Sequence, residues 1–179
     1  MGVRLVIHQL EVLVRDLLDG GADGHARVVD DDVGAAVAGL DLVRKMFDLT
    51  EAERDQEHLP VALLSYPGRI RDRSTFLFEK SGPNPGEAIA EIALELDRLG
   101  AVVAGIPCNT AHAPAIFDRV LERLREAGAT LRLLNMIDET AAYLRDETDR
   151  IDRIGLLSTS AVYRLALYKN CLLYTSPSP

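Results

Sequence analysis

Asn84-Pro85-Gly86-Glu87 opens a stretch that runs to Val102-Val103-Ala104-Gly105-Ile106 and on into Pro107-Cys108-Asn109-Thr110-Ala111-His112. It holds a helix, a strand and a polar loop in succession. Asparagine stands at a cap position, proline in the first turn and glutamate three residues after the cap, which is a helix start. Ile89, Ile92, Leu96 and Leu99 recur at helical spacing, and Gly100 stops the pattern. The β-branched run at 102–106 is then a buried strand.

The same alternation continues on both sides. Downstream, Ile116, Val120, Leu121 and Leu124 mark a helix over 113–127, followed by a strand at 131–134, a helix at 137–145 and a strand at 154–157. Upstream, Val61-Ala62-Leu63-Leu64 reads as a strand that ends in a polar loop over 65–74 containing Pro67 and Gly68. Strands alternating with helices of this length predict an α/β fold, a parallel sheet flanked by helices. Further upstream, Val37, Leu40, Val43 and Phe47 predict an amphipathic helix buried through those residues. Thr50-Glu51-Ala52-Glu53 has the capping-box pattern and predicts a short helix from there. Residues 22–34, rich in Gly and Asp, are expected to be irregular. Val6, Leu10, Leu13 and Leu17 give residues 3–18 a helical face, stopped by Asp19-Gly20-Gly21.

Composition limits the function classes. At 179 residues with 47% hydrophobic and 27% charged residues, the chain has the make-up of a globular protein and not of a disordered or collagen-like one. The length suits one domain, or one domain and part of another. A net charge of −8 leaves no overall basic footprint, so nucleic acid is not an expected partner. Mean hydropathy is +0.03 and no apolar run approaches the roughly 20 residues of a membrane span, so no membrane partner is expected. Two cysteines make at most one bridge, so no disulfide scaffold is available, and they fall short of a four-thiolate zinc site. The first residues lack a secretory signal pattern, and the expected location is cytoplasmic, with free thiols.

In a parallel α/β sheet, ligands bind beyond the carboxyl ends of the strands. Four polar clusters fall at such ends: 65–74, 107–112, 135–140 and 158–160. Cys108 is the sharpest feature among them. Between a strand and the start of a helix, backbone N–H groups favour an anion, so its thiol pKa is expected to fall toward neutrality. A thiolate can then act as nucleophile or base, with Asn109 and Thr110 donating hydrogen bonds beside it. The competing reading of a lone cysteine is a small buried hydrophobe. His112 reads as a structural or supporting donor, and the competing reading of Arg73 is a solvated loop charge.

Ile106-Pro107-Cys108-Asn109-Thr110-Ala111-His112 resembles the first cysteine motif of the aspartate/glutamate racemase superfamily, on the side of aspartate racemases and broad-specificity amino-acid racemases. His58-Leu59-Pro60-Val61 through Ser65 resembles the family's second strand, and Asp72-Arg73-Ser74 its Asp-Arg-Thr/Ser loop. Leu134-Asn135-Met136-Ile137-Asp138-Glu139-Thr140 and residues 154–159 resemble later segments. The resemblance covers about residues 36–170. It implies two similar α/β domains facing each other across a cleft, each giving one cysteine, with no cofactor and no metal. One thiolate removes the Cα proton and the other thiol reprotonates the opposite face. By motif position Cys108 is the first base. Asn109 and Thr110 would bind the α-carboxylate, and Arg73 a second carboxylate, with Ser65 and Thr159 also in the substrate site. The implied substrate is a small amino acid or dicarboxylate. Dimerisation is common in the family, and a homodimer is carried as an expectation. Hydantoin racemase, maleate isomerase, arylmalonate decarboxylase or a non-catalytic carboxylate-binding fragment are the alternatives.

Three departures from the family accompany the resemblance. The family's opening Gly-Gly-Met-Gly-Pro loop has no counterpart in residues 1–35. Arg71 stands where the family usually has proline. No second cysteine motif follows the strand at 154–157, so the expected organisation is a first domain over 36–150 and an incomplete second domain starting at 151–170. Residues 171–179, from Cys171, resemble translated adapter sequence and are expected to be non-native.

Overall fold

The computed structural model describes residues 25–30, 33–146, 156 and 158–173. The helix expected at 3–18 lies outside them. So does the strand expected at 154–157, apart from Leu156, which is described and is not in a strand.

In chain order the elements are β1 (His25–Asp30), α1 (Val33–Leu49), β2 (Val61–Ser65), α2 (Arg73–Glu79), α3 (Pro85–Arg98), β3 (Ala101–Gly105), α4 (Pro114–Glu126), β4 (Arg132–Leu134), α5 (Met136–Asp146), α6 (Ser160–Arg164) and α7 (Leu167–Leu173). The described strands form one sheet in the order β2-β1-β3-β4, and every pairing is parallel. The α/β class and the parallel sheet are as the alternation predicts.

Side-chain alternation sorts the sheet into two faces. Ala62 and Leu64 of β2, Ala104 of β3 and Leu133 of β4 meet α3 and α4 through Ile89, Ile92, Leu96, Ile116 and Val120. Val61 and Leu63, Val103 and Leu134 meet α1 through Leu42 and Met46. Each fully buried Ile or Leu on these faces contributes roughly 1.5–3 kcal/mol relative to exposure. Asn84 caps α3, its Oδ1 accepting from Gly86 N at 2.9 Å, while its Nδ2 donates to Ala115 O at 2.8 Å and so ties α3 to α4. The two helices pack so closely at Gly86 that a Cβ there would sit 2.7 Å from Ile116 O.

The structure corrects three expectations upstream of residue 60. First, residues 25–30, expected to be irregular, form the strand between β2 and β3. Its apolar content is only Ala26, Val28 and Val29 between Gly- and Asp-rich flanks. The ladder comes from two neighbours far along the chain, which no local pattern shows. Second, α1 is present but turned: Val37 and Leu40 are 68% and 63% exposed and Phe47 is also exposed, whereas Leu42 and Met46 are fully buried; of the expected face only Val43 packs inward, half-buried against that cluster. Gly39, buried, and Ala38, half-buried, lie on the inward side, where small residues let the helix approach the sheet. Most of the larger stripe therefore faces out. Third, Thr50 ends a helix and does not start one. Its Oγ1 donates to Met46 O at 2.6 Å, and the next helical turn is a 3₁₀ turn at Asp55–Glu57.

The turned face gives an expected outcome in urea unfolding. Met46→Ala costs roughly 2–5 kcal/mol by opening a cavity, and Leu40→Ala stays within about 0.5 kcal/mol. The opposite order would restore the face read from periodicity.

Candidate active site

The cysteine turn leaves β3 through Ile106 and Pro107, both buried. Cys108 N donates back to Ile106 O at 2.8 Å. Cys108 itself is extended (φ −140°, ψ 112°) and caps a 3₁₀ turn, Asn109–His112. Its side chain is half-buried, with Sγ 3.4 Å from Thr110 Oγ1. The α-helix read over 113–127 runs Pro114–Glu126, so its N-terminus lies six residues past the cysteine and not beside it. Ala113 precedes that proline and is held extended (φ −60°, ψ 133°), as steric contact with a following proline ring requires. The cysteine thus sits on a short turn of its own, separated from α4.

His112 fixes that turn from beneath. Nδ1 donates to Cys108 O at 2.8 Å, so the carbonyl sets the tautomer, and the ring stacks on Phe117 with centroids 5.0 Å apart. His112 is 4% exposed. Burial pushes its pKa down to about 4, against the opposing pull of the Cys108 and Leu134 carbonyls and the Asp138 charge. At neutral pH it is an uncharged prop.

Helices α2, α5 and α6 all pack on this turn, and they carry the other expected residues. The loop expected over 65–74 contains a 3₁₀ turn, Pro67–Arg69, and then the start of α2. Asp72 caps α2, Oδ1 accepting from Thr75 N at 2.6 Å; that bond, chiefly, holds its carboxyl below the usual carboxylate range. Arg73 is the first residue of α2 and only 6% exposed, so it is not a solvated loop charge. Ser65 ends β2, exposed, opposite Asp30 of β1 in the parallel register. Ser65 and the cysteine turn therefore emerge at the same edge of the sheet, on either side of β1. Asn135 caps α5 through Ile137 N at 3.0 Å. Thr159 caps α6, accepting from Val162 N at 3.5 Å, and is exposed.

Two contacts had no signal in the sequence. The Tyr168 hydroxyl, from α7, donates to Asn109 Oδ1 in a short hydrogen bond. Cys171, set aside in the sequence reading, lies within α7, and its thiol donates to Asp138 Oδ1 at 3.0 Å. Burial, then Asp138, pushes the Cys171 thiol up to about 11. A cleft of about 450 Å³ opens there, lined by His112, Asn135, Asp138, Arg145, Asn170 and Cys171 among others.

A parallel α/β domain with a cysteine turn at the carboxyl edge of its sheet matches the family model described as Asp/Glu/Hydantoin racemase over residues 35–173, and the chain belongs to that family. Among solved structures it is similar to the aspartate racemase of Picrophilus torridus, with a TM-score of 0.68 and 30% identity. That match covers 84% of this chain and 59% of the other. No helix among the described residues is long and apolar enough to cross a membrane.

The buried histidine makes stability depend on pH. Its folded pKa of about 4 lies below the unfolded value. Above pH 6.5 nothing is lost. As pH falls from there toward 4, the unfolded chain takes up a proton that the folded chain refuses, and stability drops by up to about 3 kcal/mol. Urea unfolding of wild type and His112→Gln at pH 7, 5.5 and 4.5 checks this: the wild-type decline is expected to be steeper, and equal declines would contradict it.

Proposed function

We propose that this chain supplies the carboxylate-binding, first-base half of an amino-acid racemase of the aspartate/glutamate type. The observation that carries the reading is the placement of Cys108: half-buried on a rigid turn at the carboxyl edge of the sheet, beside Thr110 Oγ1, within the segment matched by the family. In this reading residues 36–150 are the first domain and residues 151–170 open a second one that faces it.

The chemistry is a 1,1-proton transfer. The Cys108 thiolate takes the Cα proton: the C–H bond breaks, an S–H bond forms, and the electron pair stays on Cα, delocalised toward the α-carboxylate. A second thiol on the opposite face returns a proton, which inverts the centre. Asn109 Nδ2 and the Thr110 hydroxyl donate to the α-carboxylate, where negative charge builds up. Arg73 pairs with the side-chain carboxylate of an acidic substrate in a forked contact, and the Ser65 and Thr159 hydroxyls complete the rim. The thiols carry the proton, so the reading calls for no cofactor and no metal. Cys171 is not the second base in this scheme: its proton is directed to Asp138.

Thiol reactivity separates the two cysteines. At pH 8 a group with a pKa of about 11 is thiolate in roughly one molecule per thousand. Iodoacetamide is expected to label Cys108 first; Cys171→Ser leaves the fast phase intact and Cys108→Ser removes it. Fast labelling at Cys171 would count against the assignment.

Incubation with L-aspartate in D2O tests the chemistry. Slow uptake of deuterium at Cα with retention is the expected result, lost in Cys108→Ala. Formation of D-aspartate by this chain would show that it already holds both proton carriers, and the exclusion of Cys171 would fall.

A further inference from the structure

The site described above leaves one buried polar group unused. Tyr168 is 2% exposed and lies in an apolar cluster with Ala113, Ile137, Val162 and Leu167. Its hydroxyl reaches Asn109 Oδ1, 59 residues back along the chain. A tight turn brings it there. Ala166, between α6 and α7, has φ +51°, a left-handed conformation uncommon for alanine, and Ala166 N donates to Tyr163 O at 3.1 Å. The same segment is fastened to the helix that carries Arg73: the Arg164 guanidinium lies 3.9 Å from the centre of the Phe78 ring.

We infer that Tyr168 is a positioning residue that sets which end of the Asn109 amide faces the substrate. An asparagine amide accepts at one end and donates at the other. A carboxylate only accepts, so Asn109 is useful to it only with Nδ2 turned outward. A phenol can accept as well as donate, but in the reverse orientation the buried Tyr168 proton would lose its acceptor on Asn109, so the O–H bond to Oδ1 favours the orientation with Nδ2 outward. In the reverse one, Oδ1 would face the substrate carboxylate and repel it. The segment after α6 therefore governs the donor set of the turn after β3, although it touches neither substrate nor Cys108 in this scheme. The orientation stands on the geometry; what it serves rests on the proposed function.

The test uses the full chain, with L-aspartate as the probe and the Asn109 side-chain NH2 followed by 15N NMR. Tyr168→Phe is expected to move the Asn109 NH2 pair and to weaken L-aspartate about tenfold, as loss of a fixed donor to a charged group would. In an Asn109→Ala background the same substitution is expected to add nothing, the signature of an effect that passes through Asn109. An unmoved NH2 pair would overturn the inference. So would equal weakening in both backgrounds, which would mean that Tyr168 acts by packing alone. If wild type binds no L-aspartate, the functional reading fails, and the NH2 pair still decides the role of Tyr168. Should Tyr168→Phe fail to fold, fluorotyrosine in the wild-type chain supplies the same readout: a stronger phenol donor shifts the Asn109 pair, and no shift overturns the inference.

Discussion

Strand β1 holds hydrogen bonds on both sides, to β2 and to β3, and the placement of the site follows from that. Because all the pairings are parallel, the chain leaves each strand at the same edge. With strands about 4.8 Å apart, the end of β2 and the cysteine turn stand roughly 10 Å apart across β1. An antiparallel neighbour would have sent one of these loops to the far edge. The two-faced packing has the same origin. A strand with partners on both edges must cover both faces, and α1 on one side with α3 and α4 on the other do so.

Much of this was legible from residue 60 onward. The Asn84 cap, the Ile89, Ile92 and Leu96 face and the Gly100 stop describe α3 as it stands, because there the propensity, cap and burial signals agree. The reading failed where they part. In α1 two apolar stripes compete, and the buried side is the one that carries Gly39, Leu42 and Met46, which hydrophobicity alone does not register. In β1 the strand depends on partners and barely on its own side chains. At Thr50 the same hydroxyl that can cap a helix start closes a helix end. The cysteine turn was readable as a motif. Its separation from α4 follows from Pro114, and the helix read over 113–127 already left that gap.

Polar residues in the connecting loops have two uses, and this chain separates them. Asp72, Asn84, Asn135 and Thr159 all serve as helix caps. Each satisfies backbone N–H groups that would otherwise be orphaned, worth about 1 kcal/mol apiece. Cys108, Asn109 and Thr110 sit where no α-helix begins, so their side chains are not drawn into that role. The buried His112 supplies the rigidity that a cap would otherwise give, through a bond to the backbone instead of from a side chain of the turn itself. A polar run on its own could not tell the two uses apart.

The central position of β1 also shapes how the chain comes together in time. Its partners lie far downstream, so the ladder must wait for long loops to close, an entropic delay typical of parallel sheets. By contrast α3, β3 and α4 follow one another directly and share one cluster of buried side chains. That unit can condense early and locally, with β1 threading into the gap beside β3 afterwards. The last strand to dock would then be the first of the described strands. During synthesis on a ribosome, β2 emerges before β3, so the edge of residues 25–30 that pairs with β3 would wait, exposed, until that segment has emerged. A slow, late folding phase would therefore report on β1.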